Sequence, residues 1–228
     1  MPSILITGAN RGLGLEFVEQ YHRDGWRVFA CCRRPGDAQA LSKIASASGG
    51  GVSVHRLDVA DHGTVDALAS ELSGEAIDVL LNNAGVMGER APLESLDYDD
   101  WERTLRINTL GPIKVAAAFL PHVRRGARKV IATVTSKMGS IADNTSGNAY
   151  AYRSSKAALN MANMSLARDL SDVTCVVLHP GWVKTDMGGA SAPIEAPESV
   201  SGMREVIAGL KPSQSGAFYD YTGAELPW

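Results

Sequence analysis

Three cysteines in 228 residues are too few for a disulfide framework. Two of them, Cys31 and Cys32, are adjacent, and neighbours on a strand point to opposite faces. All three are expected to stay thiols, as suits a reducing cytoplasm. No uncharged apolar run approaches the roughly 18 residues of a membrane-crossing helix. The early run Ile4–Thr7 is too short for a secretory leader and reads as a buried strand. Neither sign of charge dominates: 22 basic and 25 acidic side chains leave a net charge of -3, which argues against a nucleic-acid or anionic-membrane partner. The basic residues cluster only in pairs such as Arg124-Arg125, which suits the end of a helix. His22, His55, His62, His122 and His179 are scattered without metal-ligand spacing, so no metal site is expected. There is no internal repeat, low-complexity tract or linker, and residues 1–228 are expected to form one domain.

What is present is alternation. Strand-like apolar runs occur at Ile4–Thr7, Val28–Cys32, Val52–Leu57, Val79–Asn82, Val130–Val134, Val173–Leu178 and Phe218–Tyr219. Most are unbroken, as in strands buried on both faces of a parallel sheet. Helical patterns lie between them. Leu13, Phe17, Val18 and Tyr21 share one face, and longer patterns cover about 99–123 and 152–170. Alternating strand and helix predicts a doubly wound α/β sandwich of three layers around a parallel sheet of about seven strands. Two long non-periodic stretches, 135–149 and 181–197, follow strands, at the sheet edge where such folds bind ligands.

The first strand runs into Gly8-Ala9-Asn10-Arg11-Gly12-Leu13-Gly14, where a helix begins. Glycines let a pyrophosphate approach the backbone, and a helix N-terminus offers free N–H groups and a positive dipole end. Alone, the spacing also fits an ordinary tight turn; the strand–loop–helix context favours a dinucleotide. The end of the second strand, Cys31-Cys32-Arg33-Arg34, lacks the carboxylate that would hold a ribose 2′-hydroxyl. Arg33 and the loop's Arg11 suit a 2′-phosphate instead, so NADP(H) is the expected cofactor. Arg34 reads as a solvated strand-end residue.

Tyr152 and Lys156 stand four apart at a predicted helix start and share a face. A free tyrosine titrates near pH 10. Bringing it to the working pH needs roughly 4 kcal/mol from close cations, which Lys156 and an oxidised nicotinamide can supply. In isolation this pair also fits an amphipathic helix start.

Together with Asn82-Asn83-Ala84-Gly85, Asn108, Ser136 and Pro180-Gly181, these motifs make the whole chain resemble the short-chain dehydrogenases/reductases. Within that family it most resembles the C-factor/sniffer-like carbonyl reductases, through Tyr152–Asn160, His179–Gly188 and Tyr219–Trp228. The resemblance implies a Rossmann-type fold and a carbonyl reductase. It implies that Tyr152 donates a proton to the carbonyl oxygen and that Ser136 hydrogen-bonds that oxygen. Lys156 would hold the nicotinamide ribose and depress the Tyr152 pKa, and Asn108 would anchor a water. Asp58 and Val59 would lie at the adenine, Asn82, Asn83, Ala84 and Gly85 along the cofactor with Pro180 and Gly181, and Val183 and Thr185 at the carboxamide. The family often forms dimers or tetramers.

Tyr150 has Ser154, not lysine, four residues on, so it is not the acid. Thr135 and Ser140 flank Ser136, and Ser136 has the family's glycine at +3. Val86, Met87, Met138, Tyr150, Trp182 and Met187 are candidate pocket residues; they favour an apolar or aromatic carbonyl substrate, with 182–197 as the substrate loop. The alternative function is an NADP(H)-binding sensor without turnover.

Overall fold

The computed structural model describes all 228 residues. Seven strands form one parallel sheet: β1 (Ser3–Thr7), β2 (Arg27–Cys32), β3 (Val52–Arg56), β4 (Val79–Asn82), β5 (Val130–Val134), β6 (Thr174–His179) and β7 (Phe218–Asp220), in the order β3-β2-β1-β4-β5-β6-β7. All seven expected strands are present, with no end shifted by more than one residue. The unbroken apolar runs are explained by two-sided burial. Ile4, Ile6, Val28, Ala30, Val79 and Leu81 face one core, while Leu5, Phe29, Cys31 and Leu80 face the other.

The first core is covered by α1 (Gly12–Arg23), α2 (Gln39–Ala47) and α7 (Ala196–Gly209), which contribute Phe17, Val18, Leu41, Val200 and Met203. The second is covered by α3 (His62–Glu71) and α5 (Gly111–Arg125), through Val65, Leu68, Val115 and Phe119. At the foot of β4, the buried Asp78 carboxylate accepts hydrogen bonds from the backbone N–H of Ser3 (2.8 Å) and Ala127 (2.7 Å), which ties the first and fifth strands to the fourth.

The expected long helix over 99–123 is present but modified. It runs as α4 (Tyr98–Leu105), a π-turn (Arg106–Leu110) and then α5. Just after the π-turn α5 packs closely on the β3–α3 loop: a Cβ on Gly111 would lie 2.9 Å from Val59 Cβ. Such turns widen a helix where a side chain must be re-aimed, and this one carries Asn108. The last long helix, α6 (Tyr150–Asp169), starts two residues before Tyr152. No helix is long and apolar enough to cross a membrane.

The strand order reverses between β1 and β4, so connections leave in opposite directions there and open a crevice at the carboxyl ends.

Candidate active site

The crevice is a cavity of about 290 Å³ running from the end of β2 to the start of α6. Its floor is the glycine loop. Gly8 and Gly12 take φ of +67° and +53°, which glycine adopts without strain. Gly14 is required by contact. A Cβ there would collide with the Gly8 carbonyl oxygen and lie 2.7 Å from Asn83 Nδ2. The N-cap Arg11 makes no side-chain cap, so the amides of the first turn of α1 remain open to a ligand. The loop is pinned from β4: Asn83 Nδ2 donates to the Thr7 carbonyl (2.9 Å), and Thr7 Oγ1 accepts from the N–H of Asn83 (3.0 Å) and Ala84 (3.1 Å).

Most of the expected cofactor residues line this cavity: Gly8, Asn10, Arg11, Gly12, Leu13, Gly14, Arg33, Asp58, Val59, Ala84, Gly85, Tyr152, Lys156, Pro180 and Thr185. Three do not. Asn82 turns away, donating to the Pro112 carbonyl of α5 at 3.2 Å, and its neighbour Asn83 takes the lining position. Gly181 lies against Ile194 and the Tyr221 ring, and Val183 is buried and bridges to Ile194. Asp186, which also lines the cavity, carries no local signal in the sequence.

Charge at the rim is unequally committed. Arg34 pairs with Asp37 at 3.2 Å, and Arg11 pairs with Asp186 across the mouth. Arg33 has no ion pair. The expected convergence of Arg11 and Arg33 is therefore modified: both line the cavity, but only Arg33 is uncommitted. Beside it, Cys32 has its thiol pushed up by burial.

At the other end, α6 is approached through two left-handed non-glycine residues, Asn148 (φ 61°) and Ala149 (φ 50°). Backbone of this kind is costly and persists where the surroundings over-determine it. It delivers Tyr152 and Lys156 to the cavity one turn apart. The Lys156 ammonium sits 5.8 Å from the Tyr152 ring centroid and donates to the Val134 carbonyl at 2.9 Å. Burial pulls its pKa down to about 8. The expectation that Lys156 depresses the Tyr152 pKa is not met. Burial pushes the phenol up; only the Ser136 hydroxyl and the Arg90 guanidinium oppose this. Lys156, its ammonium turned to the Val134 carbonyl, is not among the groups that lower the phenol's pKa.

Ser136 follows β5 by two residues and caps the turn Lys137–Gly139, its Oγ accepting from the Met138 N–H at 3.1 Å. That turn sits hard against α6: a Cβ on Gly139 would lie 2.8 Å from Lys156 C and Cβ. Asn108 is fully buried. Its Oδ1 accepts from the Val86 N–H (2.9 Å), and its Nδ2 donates to the Val86 carbonyl (2.8 Å) and to Ser155 Oγ (3.0 Å). It therefore clamps the cavity wall at Val86 to the helix carrying Tyr152. Of the candidate substrate residues, Val86 and Met187 line the cavity. Tyr150 packs instead on Trp101, with ring centroids 6.2 Å apart, Trp182 donates to the Gly188 carbonyl at 2.8 Å, Met87 touches Arg90, and Met138 is half-buried.

Comparison with known proteins places this geometry in a family. The short chain dehydrogenase family model matches residues 2–195. The C-signal protein of Myxococcus xanthus is 54% identical over 164 residues, covering 71% of this chain and 99% of that protein. The carbonyl reductase Sniffer of D. melanogaster superposes with a TM-score of 0.94 at 37% identity, covering all of both chains. An NADPH-bound carbonyl reductase from chicken fatty liver superposes at 0.93 with 35% identity, over 100% of this chain and 99% of that one. With the family model spanning most of its length, the chain belongs to the short-chain dehydrogenase family.

Proposed function

We propose that residues 1–228 form one domain that works as an NADP(H)-dependent carbonyl reductase. The observation that carries this reading is that a single cavity is lined by the open glycine loop, the unpaired Arg33 cation, Tyr152 and Lys156. The cofactor fits the residues present. The uncapped first turn of α1 has amides for a pyrophosphate, Gly14 has no room for a side chain, and the end of β2 offers Arg33 with no carboxylate. Thr185 and Pro180 line the same cavity. The chicken carbonyl reductase, with its bound NADPH, supports the same choice.

When bound, NADPH supplies a hydride to the carbonyl carbon. Tyr152 gives its proton to the carbonyl oxygen, and the Ser136 hydroxyl donates a hydrogen bond to that oxygen as charge develops on it. The raised Tyr152 pKa keeps the phenol protonated at neutral pH, which loads the acid for reduction. Lys156 holds the cofactor ribose, and Asn108 keeps the Val86 wall and α6 in register. Val86 and Met187 offer apolar surface, which suits an apolar or aromatic ketone, aldehyde or quinone. Residues 182–197 serve as the substrate loop. The three buried free thiols suit a cytoplasmic setting.

The test is NADPH consumption with a panel of such carbonyls, by wild type and Tyr152→Phe. The substitution keeps the ring and removes the transferable proton, so kcat should fall by about 10²- to 10⁴-fold while NADPH still binds. Retention of more than about a tenth of kcat refutes the assignment. A second reading, a dinucleotide-binding signalling protein without turnover, is favoured by the name of the M. xanthus relative. It requires that wild type bind NADPH and consume none with any member of the panel.

A further inference from the structure

After β7 the chain turns back on itself. Tyr219 and Glu225 form an antiparallel bridge, the Asp220 N–H donates to the Ala224 carbonyl (2.9 Å), and the Leu226 N–H donates to the Phe218 carbonyl (2.7 Å). The Asp220 carboxylate fastens the bend, accepting from the N–H of Thr222 (2.8 Å) and Ala224 (3.0 Å). The returning segment ends at Trp228, whose ring packs on the buried Phe218 at 5.4 Å between centroids. The Trp228 carbonyl then accepts a hydrogen bond from the Ala142 N–H at 3.0 Å.

Ala142 belongs to the loop that begins with Ser136. That loop is braced from within: Ser140 is buried and its Oγ accepts from the Asp143 N–H (3.1 Å), while Lys137 pairs with Asp143 at 3.1 Å. On one side Gly139 seats it against Lys156 of α6. On the other side, the polar contact supplied from beyond β7 is the one at Trp228. His179, at the end of β6, lies where the two meet, within electrostatic reach of Asp220 from the tail and of Lys137 and Asp143 from the loop.

We infer that residues 224–228 form a strap that positions Ser136, with Trp228 as its positioning residue. The inference rests on the reading of Ser136 as the donor to the substrate oxygen. The strap holds the serine loop against α6, and with it the Ser136 hydroxyl beside the Tyr152 phenol. Loss of the Trp228 ring frees the strap from Phe218 and lets the loop drift. A misplacement of the order of 1 Å at a reacting group can cost about 100-fold in rate.

The experiment is steady-state kinetics with NADPH and one accepted carbonyl, on Trp228→Ala, Trp228→Phe, Ser136→Ala, the double variant Ser136→Ala/Trp228→Ala, and a chain lacking 224–228. Trp228→Ala should lower kcat by about 10-fold with KM for NADPH unchanged within about twofold, and Trp228→Phe should restore most of it. In the Ser136→Ala background, Trp228→Ala should cause no further loss, because the group it positions is gone. Equal losses in both backgrounds, or full kcat in a folded chain lacking 224–228, overturn the strap. If the shortened chain does not fold, the Trp228 substitutions decide alone. Ser136→Ala with full activity overturns the catalytic role of Ser136 and the strap with it; a crippled Ser136→Ala beside an unaffected Trp228→Ala overturns the strap only.

Discussion

Removing the Arg33 guanidinium should discriminate between two cofactors that differ by one phosphate. Of the three arginines lining the cavity, Arg11 is taken by Asp186 and Arg34 by Asp37, which leaves Arg33 as the cation free to meet a 2′-phosphate. A hydrogen bond to a charged partner contributes about 1.5–3 kcal/mol, or about 10- to 150-fold in affinity. Arg33 is exposed at the rim, which places the expected loss for Arg33→Ala in the lower half of that range. NADH affinity should hardly change, since NADH has no 2′-phosphate to lose. The exposed pairing should also be screened by salt: the difference between wild type and variant should shrink as ionic strength rises past about 0.1 M, where the Debye length is about 10 Å. Direct titration with NADPH and NADH at two salt concentrations measures all of this. If wild type prefers NADH, or if Arg33→Ala weakens both cofactors equally, Arg33 is an ordinary strand-end residue and the NADP(H) assignment is wrong.

Lys156 should impose a pH dependence on stability. With its folded pKa near 8 against an ordinary 10.5, the unfolded chain holds the extra proton between those values, so this group's contribution rises with pH across the window. The buried thiols of Cys31 and Cys175 are pushed up and act in the opposite sense above about pH 9, so the quantity to follow is wild type minus Lys156→Met. That difference in denaturation free energy should climb by on the order of 3 kcal/mol from pH 8 to 10.5; a flat difference refutes the desolvated lysine. Gly14→Ala should weaken NADPH binding and lower Tm, because its Cβ meets backbone at Gly8, at a cost of about 1–3 kcal/mol. Gly74→Ala, where a Cβ meets nothing within 4 Å, is the control and should leave both measurements unchanged.

The strands were legible because burial on both faces writes itself as unbroken apolar runs, and Gly8–Gly14 and Tyr152/Lys156 were legible because their spacing is local. What escaped depends on distance in the chain. Asp186 meets Arg11 from 175 residues away, and nothing near either residue announces the pair. The π-turn at Arg106–Leu110 accompanies the packing of Gly111 on Val59, invisible in the helical periodicity around it. α2 and α3 are short, and the non-periodic run before α7 hides where that helix starts. The raised pKa of Tyr152 is not legible in the sequence because it comes from burial, which the spacing of Tyr152 and Lys156 on a helix does not reveal.

The order of strands in the sheet also governs how the molecule is made. β1 lies between β2 and β4, with Leu5 opposite Leu80, so the second strand to leave the ribosome pairs early while the other edge of β1 waits for a partner some seventy residues later. The cavity waits longer still, since its walls include Lys156, Pro180 and Thr185. Until those residues emerge, a nascent chain carries an apolar strand edge and no means of binding a nucleotide. Parallel pairings across such separations fold slowly and expose sticky edges meanwhile. Ligand binding can therefore stabilise the finished molecule but cannot assist its first half, which leaves early folding to the β1–α1–β2 unit.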